Sequence, residues 1–304
     1  MNNMPIANHL QVLTKQLHAK FDDPILCRQY AWWLLQAVTQ KSEAELLVQE
    51  SLVVTLAQEA QLNEWVKRII VHDMPIQYIL GSVPFGDVEI LVKPPVLIPR
   101  PETEEWCMWL IHKLNFLHNK NLTIIEPCTG SGCIAVALGR ALPFATIYAT
   151  DINEDALALT RKNAQHNQVG NVTTLYSDLF ENIPIGWKAD LIVVNPPYIT
   201  ESAFEKLDAS VARWEDYRAL VAGDNGLAVI KTIIAQAPLY LKSNAEMALH
   251  SIPQLMIEIG YDQAAAVVAL MKQAHYTAIQ VHKDLEGKDR VVSGRVENVE
   301  SAVP

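Results

Sequence analysis

Leu191-Ile192-Val193-Val194-Asn195-Pro196-Pro197-Tyr198 is the stretch whose reading decides the fold. Four consecutive apolar residues, three of them β-branched, read as a strand buried on both faces, as in a parallel sheet covered by helices. The run stops at a rigid polar turn, at the carboxyl edge where open α/β sheets keep their ligands. Neither proline has an N–H, so the turn presents carbonyl oxygens that no ladder hydrogen bond requires. Asn195 adds an amide with both donor and acceptor, and Tyr198 adds an aromatic face. Such a turn can accept both hydrogens of a planar NH2 group while a ring stacks on its plane. The expected target is therefore an amide or an exocyclic base amine. Without that chemistry, the same residues are a proline-stiffened surface turn.

Around this stretch the chain alternates strand and helix from residue 122 onward. Strands are predicted at 122–126, 146–150, 172–176, 190–194, 254–259, 277–282 and 290–296, and helices near 132–142, 154–168, 225–241 and 262–274. That order makes a doubly wound sheet closed by an antiparallel hairpin. Residues 6 to 72 read instead as a small helical bundle. Leu10, Leu13, Leu17 and Phe21 recur at helical spacing, Asp23-Pro24 suits a cap and first turn, and Ser42 with Glu45 matches a capping box. The aromatic residues here are read as core, and the charges show no basic face. Gln77–Gly81 and Val88–Val92 flank the turn-rich 82–87 and are predicted to pair as a β-hairpin linker. Pro101 then opens a helix to about 117, with Glu102, Glu104 and Glu105 complementing its dipole. The predicted organisation is a helical domain over 1–74, a hairpin linker over 75–98, the sheet domain over 99–296 and a frayed tail over 297–304.

Half of the 304 residues are hydrophobic, enough for more than one core. Acidic residues number 34 against 24 basic, a net charge of −10, which argues against a dedicated duplex-binding surface. Cys27, Cys107, Cys128 and Cys133 lack CxxC pairing, and no HxxxH pair has a neighbouring Glu, so neither disulfides nor a metal are expected. The N-terminus lacks the pattern of a signal peptide, and no apolar run reaches membrane-spanning length. These features together predict a cytoplasmic enzyme.

Glu126-Pro127-Cys128-Thr129-Gly130-Ser131-Gly132 joins the first sheet strand to its helix. Gly130 and Gly132 let the backbone approach a ligand, and an acid at the strand end suits a cationic amine. The loop is not GxGxxG, which disfavours a pyrophosphate-bound dinucleotide. The second strand ends at Asp151, placed for a ribose diol, and the third runs into Asp178 and Leu179, suited to an adenine. Each carboxylate alone reads as a cap or surface charge. Their recurrence at successive strand ends fits S-adenosylmethionine better than a phosphate-rich ligand.

Residues 75 to 296 resemble the HemK/PrmC family of glutamine-N5 methyltransferases, which modify class I peptide chain release factors. The resemblance rests on Gln77-Tyr78-Ile79-Leu80-Gly81, Leu97-Ile98-Pro99-Arg100-Pro101-Glu102-Thr103-Glu104, Thr129-Gly130-Ser131-Gly132 and Asn195-Pro196-Pro197-Tyr198-Ile199. It continues through Ala219-Leu220, Gly223-Asp224-Asn225-Gly226-Leu227, Ile257-Glu258-Ile259-Gly260 and Gly287-Lys288-Asp289-Arg290-Val291-Val292. It implies a class I, Rossmann-like seven-stranded methyltransferase sheet with a small N-terminal helical bundle that helps grip the protein substrate. It also implies a cofactor shell of Cys128, Thr129, Gly130, Ser131, Gly132, Asp151, Leu179 and Asn195, to which the residue reading adds Glu126 and Asp178. Asn195, Pro196, Pro197 and Tyr198 would hold the substrate glutamine of a Gly-Gly-Gln loop, with Asn195, Pro196 and Tyr198 serving catalysis.

Three departures stand out. Glu126-Pro127-Cys128 replaces a common Asp, apolar, Gly run, Glu215-Asp216 replaces Glu-Pro, and Ser243–Pro253 is longer than the usual turn. None removes a group the chemistry needs. The rival readings are an N6-adenine nucleic-acid methyltransferase using the same turn for a flipped base, a glutamine methyltransferase of a ribosomal protein, and a non-catalytic cofactor-binding scaffold.

Overall fold

In the computed structural model, the residues described are 2–48, 52–115, 121–243 and 252–296. The tail over 297–304, the end of the helix expected to reach 117, and residues 244–251 of the long Ser243–Pro253 stretch lie outside them. The chain divides into two units, Met1–Gly81 with Asp208–Trp214, and Ser82–Leu207 with Glu215–Pro304.

In the first unit, strand β1 (Asn2–Met4) precedes helices α1 (Ile6–Leu17), α2 (Pro24–Thr39) and α3 (Glu43–Leu47). Strand β2 (Leu52–Val54) pairs antiparallel with β1 and leads into α4 (Leu56–His72) and α5 (Ile76–Leu80). The helices start where short polar side chains satisfy their free N–H groups. Asp23 Oδ1 accepts from Ile25 N at 2.8 Å ahead of Pro24, and Ser42 with Glu45 and Thr55 with Gln58 form reciprocal capping boxes. The apolar stripes meet in one core that includes Leu10, Leu13, Leu17, Leu34, Leu35, Val66 and Ile69. Two short strands therefore sit in a region read as wholly helical.

Gln77–Leu80 is also helical, not the first arm of the hairpin. Ile76 and Tyr78 are buried, Ile76 in the first unit's core, and Gly81 ends the turn in the left-handed conformation at φ 83°. The hairpin is instead β3 (Ser82–Phe85) with β4 (Val88–Leu91).

The second unit contains α6 (Pro101–Asn115), β5 (Thr123–Glu126), α7 (Cys133–Ala141), β6 (Thr146–Asp151), α8 (Glu154–His166), β7 (Val172–Tyr176) and β8 (Leu191–Val194). Three single-turn helices follow, α9 (Glu201–Phe204), α10 (Ala209–Ala212) and α11 (Tyr217–Leu220), and then α12 (Gly223–Gly226), a turn in which Asp224 and Asn225 have left-handed backbone. Of these, α10 belongs to the first unit, where Arg213 pairs with Asp73 at 2.6 Å and Trp214 Nε1 donates to the His72 carbonyl at 2.8 Å. Helix α13 (Ala228–Gln236), β9 (Leu255–Glu258), α14 (Ala264–Gln273), β10 (Tyr276–Lys283) and β11 (Asp289–Val296) complete the chain. The expected helix over 225–241 begins three residues late and ends as a 3-10 turn, Ala237–Tyr240, where Pro238 has no N–H to continue the ladder.

The sheet has seven strands in the order β10-β11-β9-β8-β5-β6-β7. The five strands from β9 to the edge strand β7 run parallel, while β11 pairs antiparallel with β9 and β10 antiparallel with β11. Every residue of β8 and β9 is buried, as two-sided coverage demands. One face packs Ile192, Val194, Leu255 and Ile257 against Ile230, Ile233 and Ile234 of α13 and Val267 and Met271 of α14.

Candidate active site

From β5 the chain winds outward through β6 to β7, then returns to the other side of β5 as β8. The loops leaving β5 and β8 diverge, and that switch point opens a crevice at the carboxyl edge. A cavity of about 270 Å³ lies there. Its wall includes Glu126, Cys128, Thr129, Gly130 and Ser131 after β5, Asp151 at the end of β6, Asp178 and Leu179 after β7, and Asn195 and Pro197 after β8. Three other predicted residues are elsewhere. Gly132 caps α7 at φ 79°, Pro196 is buried, and the Tyr198 hydroxyl points to Glu258.

The loop after β5 is bent by backbone that favours glycine. Cys128, Gly130 and Gly132 all have positive φ, and a Cβ on Gly132 would stand 2.6 Å from the Thr160 methyl of α8. Hydrogen bonds fix the bend: Thr129 N donates to the Thr150 carbonyl, and Thr160 Oγ1 donates to the Gly130 carbonyl. The fully buried Asn163 ties the same loop to the hairpin. It donates to the Ser131 and Leu91 carbonyls and accepts from Leu91 N.

Glu126 is buried and accepts from Thr129 Oγ1 at 2.8 Å. Burial pushes its carboxyl up to about 8, which leaves it largely neutral at pH 7. Asp151 accepts Gly130 N and Asn153 N, one on each oxygen at 2.9 Å. Burial raises its pKa while those bonds pull it down. Each Asp151 oxygen keeps acceptor capacity for a diol.

The sequence reading missed the wall supplied by Asp216, Tyr217, Arg218 and Ala219. This segment is clamped from both ends. Asp216 N donates to the Pro95 carbonyl, and Arg100 Nη2 meets the buried Glu215 at 2.5 Å. A parallel bridge between Ile199 and Val221 folds the segment back onto the Asn-Pro-Pro-Tyr turn. The sequence signals for it were the departure at Glu215-Asp216 and the Ala219-Leu220 pair, neither of which was read as cavity wall.

Also missed was what the acidic start of α6 does. Glu104 accepts from Gly86 N and Glu105 from Leu285 N, while Thr103 is buried and bonds Glu258 at 2.7 Å. Glu258 further accepts from Trp106 Nε1 at 2.7 Å and from the Tyr198 hydroxyl at 3.2 Å.

Among the described residues, the cavity wall carries Glu126, Asp151, Asp178 and Asp216 against the single cation Arg218. That set fits a ligand bearing an ammonium and a diol, and it repels a polyphosphate. S-adenosylmethionine meets the requirement. No cluster of three or more His, Cys, Asp or Glu among the described residues could hold a metal ion, and no described helix is long and apolar enough to cross a membrane.

Residues 9–81 match the PrmC N-terminal domain and residues 109–211 the methyltransferase small domain. The release factor glutamine methyltransferase of Coxiella burnetii is 34% identical over 86% of this chain and 89% of its own. The chain belongs to the release factor glutamine methyltransferase family. The Flavobacterium psychrophilum member is 31% identical, covering 95% of this chain and 98% of its own. The Lactococcus lactis member is 34% identical over 92% and 97%.

More distant structures share the class I methyltransferase fold of this family member. The hMettl16 catalytic domain in complex with the MAT2A 3'UTR hairpin 1 superposes with a TM-score of 0.54 at 15% identity, covering 88% of this chain and 90% of that one. The T. thermophilus 16S rRNA N2 G1207 methyltransferase, solved with AdoMet and guanosine, gives 0.51 at 15% identity over 71% and 50%.

Proposed function

We propose that this chain methylates the side-chain amide nitrogen of the glutamine in the Gly-Gly-Gln loop of class I release factors, using S-adenosylmethionine. The observation that carries the reading is the meeting of the Asn195–Pro197 turn with an acid-lined cavity at one switch point. When bound, S-adenosylmethionine supplies an electrophilic methyl group on a sulfonium. Glu126 would hold its amine, Asp151 its ribose, and Asp178 with Leu179 its adenine.

An amide nitrogen is a poor nucleophile because its lone pair is delocalised into the carbonyl. The Asn195 side-chain oxygen and the Pro196 carbonyl accept its two N–H hydrogens, which orients the lone pair and favours the positive charge that develops on nitrogen. Tyr198, anchored through its hydroxyl to Glu258, holds the turn and shields the amide from water. No strong base is needed before attack, since the proton leaves once the nitrogen is cationic. Holding both reactants in one crevice can lower the barrier by roughly 7–11 kcal/mol in well-aligned systems. Residues 9–81 would grip the protein substrate, and a translation factor as substrate puts the enzyme in the cytoplasm. The family relationship favours the release factor over a flipped adenine or a ribosomal-protein glutamine.

The test is incubation with labelled S-adenosylmethionine, an unmodified release factor and its Gln→Ala variant at the Gly-Gly-Gln loop. Label is expected on the wild-type factor alone. Label on both, or on neither while cofactor binds, overturns the assignment.

A further inference from the structure

The Asn-Pro-Pro-Tyr turn needs its asparagine in one of two orientations. An oxygen turned to the acceptor amide accepts a hydrogen, whereas the NH2 end would set a donor against a donor. Nothing in the turn itself decides between them. The surrounding network does.

Asn195 Nδ2 donates to Thr103 Oγ1 at 3.2 Å, and Thr103 Oγ1 donates to Glu258 Oε2 at 2.7 Å. A hydroxyl has one proton. With that proton committed to Glu258 Oε2, Thr103 can only accept from Asn195, so the end facing it must be the NH2. Flipping the amide would take the Thr103 proton away and leave two lone pairs facing each other at 2.7 Å. The Trp106 indole, which can only donate, bonds the same Oε2 at 2.7 Å and holds that oxygen in place. The other oxygen receives the Tyr198 hydroxyl at 3.2 Å. One buried carboxylate thus reaches both ends of the turn. Asn195 lines the cavity, while Thr103 and Glu258 are about 1% exposed and stand behind it.

We infer that Glu258 and Thr103 are positioning residues that set the polarity of the Asn195 amide, turning its oxygen toward the acceptor nitrogen. The inference rests on the glutamine methyltransferase reading and adds the residues that make the turn selective for an NH2 group.

Glutamine at 258 satisfies the two donors that meet Oε2 and reverses the bond to Tyr198. Its Oε1 accepts from Thr103 and Trp106, and its NH2 donates to the Tyr198 oxygen. The polarity of Asn195 is then kept without the negative charge. Valine at 103 has the shape of threonine but can neither accept from Asn195 nor donate to Glu258, whereas serine does both.

The experiment measures kcat on the unmodified release factor and, separately, cofactor affinity by calorimetry for wild type, Thr103→Val, Thr103→Ser and Glu258→Gln. Thr103→Val is expected to lose about tenfold in kcat, the scale of one mis-set hydrogen bond, with cofactor affinity within about twofold. Thr103→Ser and Glu258→Gln are expected to stay within about threefold of wild type in kcat. Wild-type kcat in Thr103→Val overturns the inference. So does a Glu258→Gln loss as deep as that of Thr103→Val, because charge and not hydrogen-bond polarity would then be the contribution. A parallel fall in cofactor affinity and kcat in Thr103→Val also overturns it, since that marks a general structural defect. A wild-type chain that binds cofactor and leaves the factor unlabelled overturns the functional reading itself, and is seen before any variant is compared.

Discussion

Cofactor binding should release a proton, and Glu126 is the group that loses it. Its carboxyl is buried and pushed up to about 8, against an ordinary 4.5. An ammonium placed against it favours the ionised form and draws the pKa back down, so affinity must rise with pH while the free protein holds the proton. Between pH 5.5 and 7, the ionised fraction of a group titrating at about 8 grows from ~0.3% to ~9%, which makes binding roughly 30-fold tighter. The gain stops near pH 8, where the ligand's own amino group deprotonates. The other groups around Glu126 do not mimic this. Burial pushes the thiols of Cys107, Cys128 and Cys133 further up, away from this range, and Asp151 is the carboxyl whose charge acts on Glu126.

The assay is calorimetric titration of S-adenosylmethionine at pH 5.5, 6.25 and 7 in two buffers of different ionisation heat. About 0.8 proton released per cofactor is expected at pH 7, ~0.9 from Glu126 less the ~0.1 that the ligand's amine takes up. Glu126→Gln should match wild type near pH 5.5, show a flat profile and release none. A pH-independent wild-type affinity would refute the reasoning, as would an undiminished slope in Glu126→Gln, which would move the proton to Asp151.

The same raised pKa makes the cofactor-free protein lose stability as pH rises from about 4.5 toward about 8, because the folded state holds the proton the unfolded chain releases; urea midpoints across that range check it. Asn195→Ala should lower kcat by about 10²–10³ with cofactor affinity changed only a few-fold, and full activity would remove Asn195 from the chemistry. Gly132→Ala forces a side chain into left-handed backbone 2.6 Å from Thr160, for a loss of about 2–4 kcal/mol in urea unfolding that Thr160→Ala should partly restore. Arg100→Met strands the buried Glu215 without its cation and should cost about 3 kcal/mol, of which adding Glu215→Gln recovers at least half.

Much of this site was legible because it is built at strand ends. The apolar run into Asn195 and the acids at 126, 151 and 178 follow from period and punctuation, and parallel strands bring their carboxyl ends to one edge. The hairpin was misplaced because Gln77–Leu80 alternates well enough to pass for a strand. What made it helical was the burial of Ile76 and Tyr78 with a Gly81 cap. Asp216 to Ala219 were missed because single-turn helices leave no periodicity to count.

By itself the sequence determined what depends on near neighbours: the helix starts at Asp23 and Ser42, the strand over Leu191–Val194, the proline-stiffened turn after it, and the glycine-dependent bend before α7. These are settled by sterics and hydrogen bonds within a few residues. Only the tertiary structure decided that Thr103 and Glu258, 155 positions apart, would share a proton behind Asn195. It alone attached Asp208–Trp214 to the first unit and set Arg100 against Glu215. A buried polar group must find a partner wherever the strand order brings one, and no local pattern along the chain encodes which residue that will be.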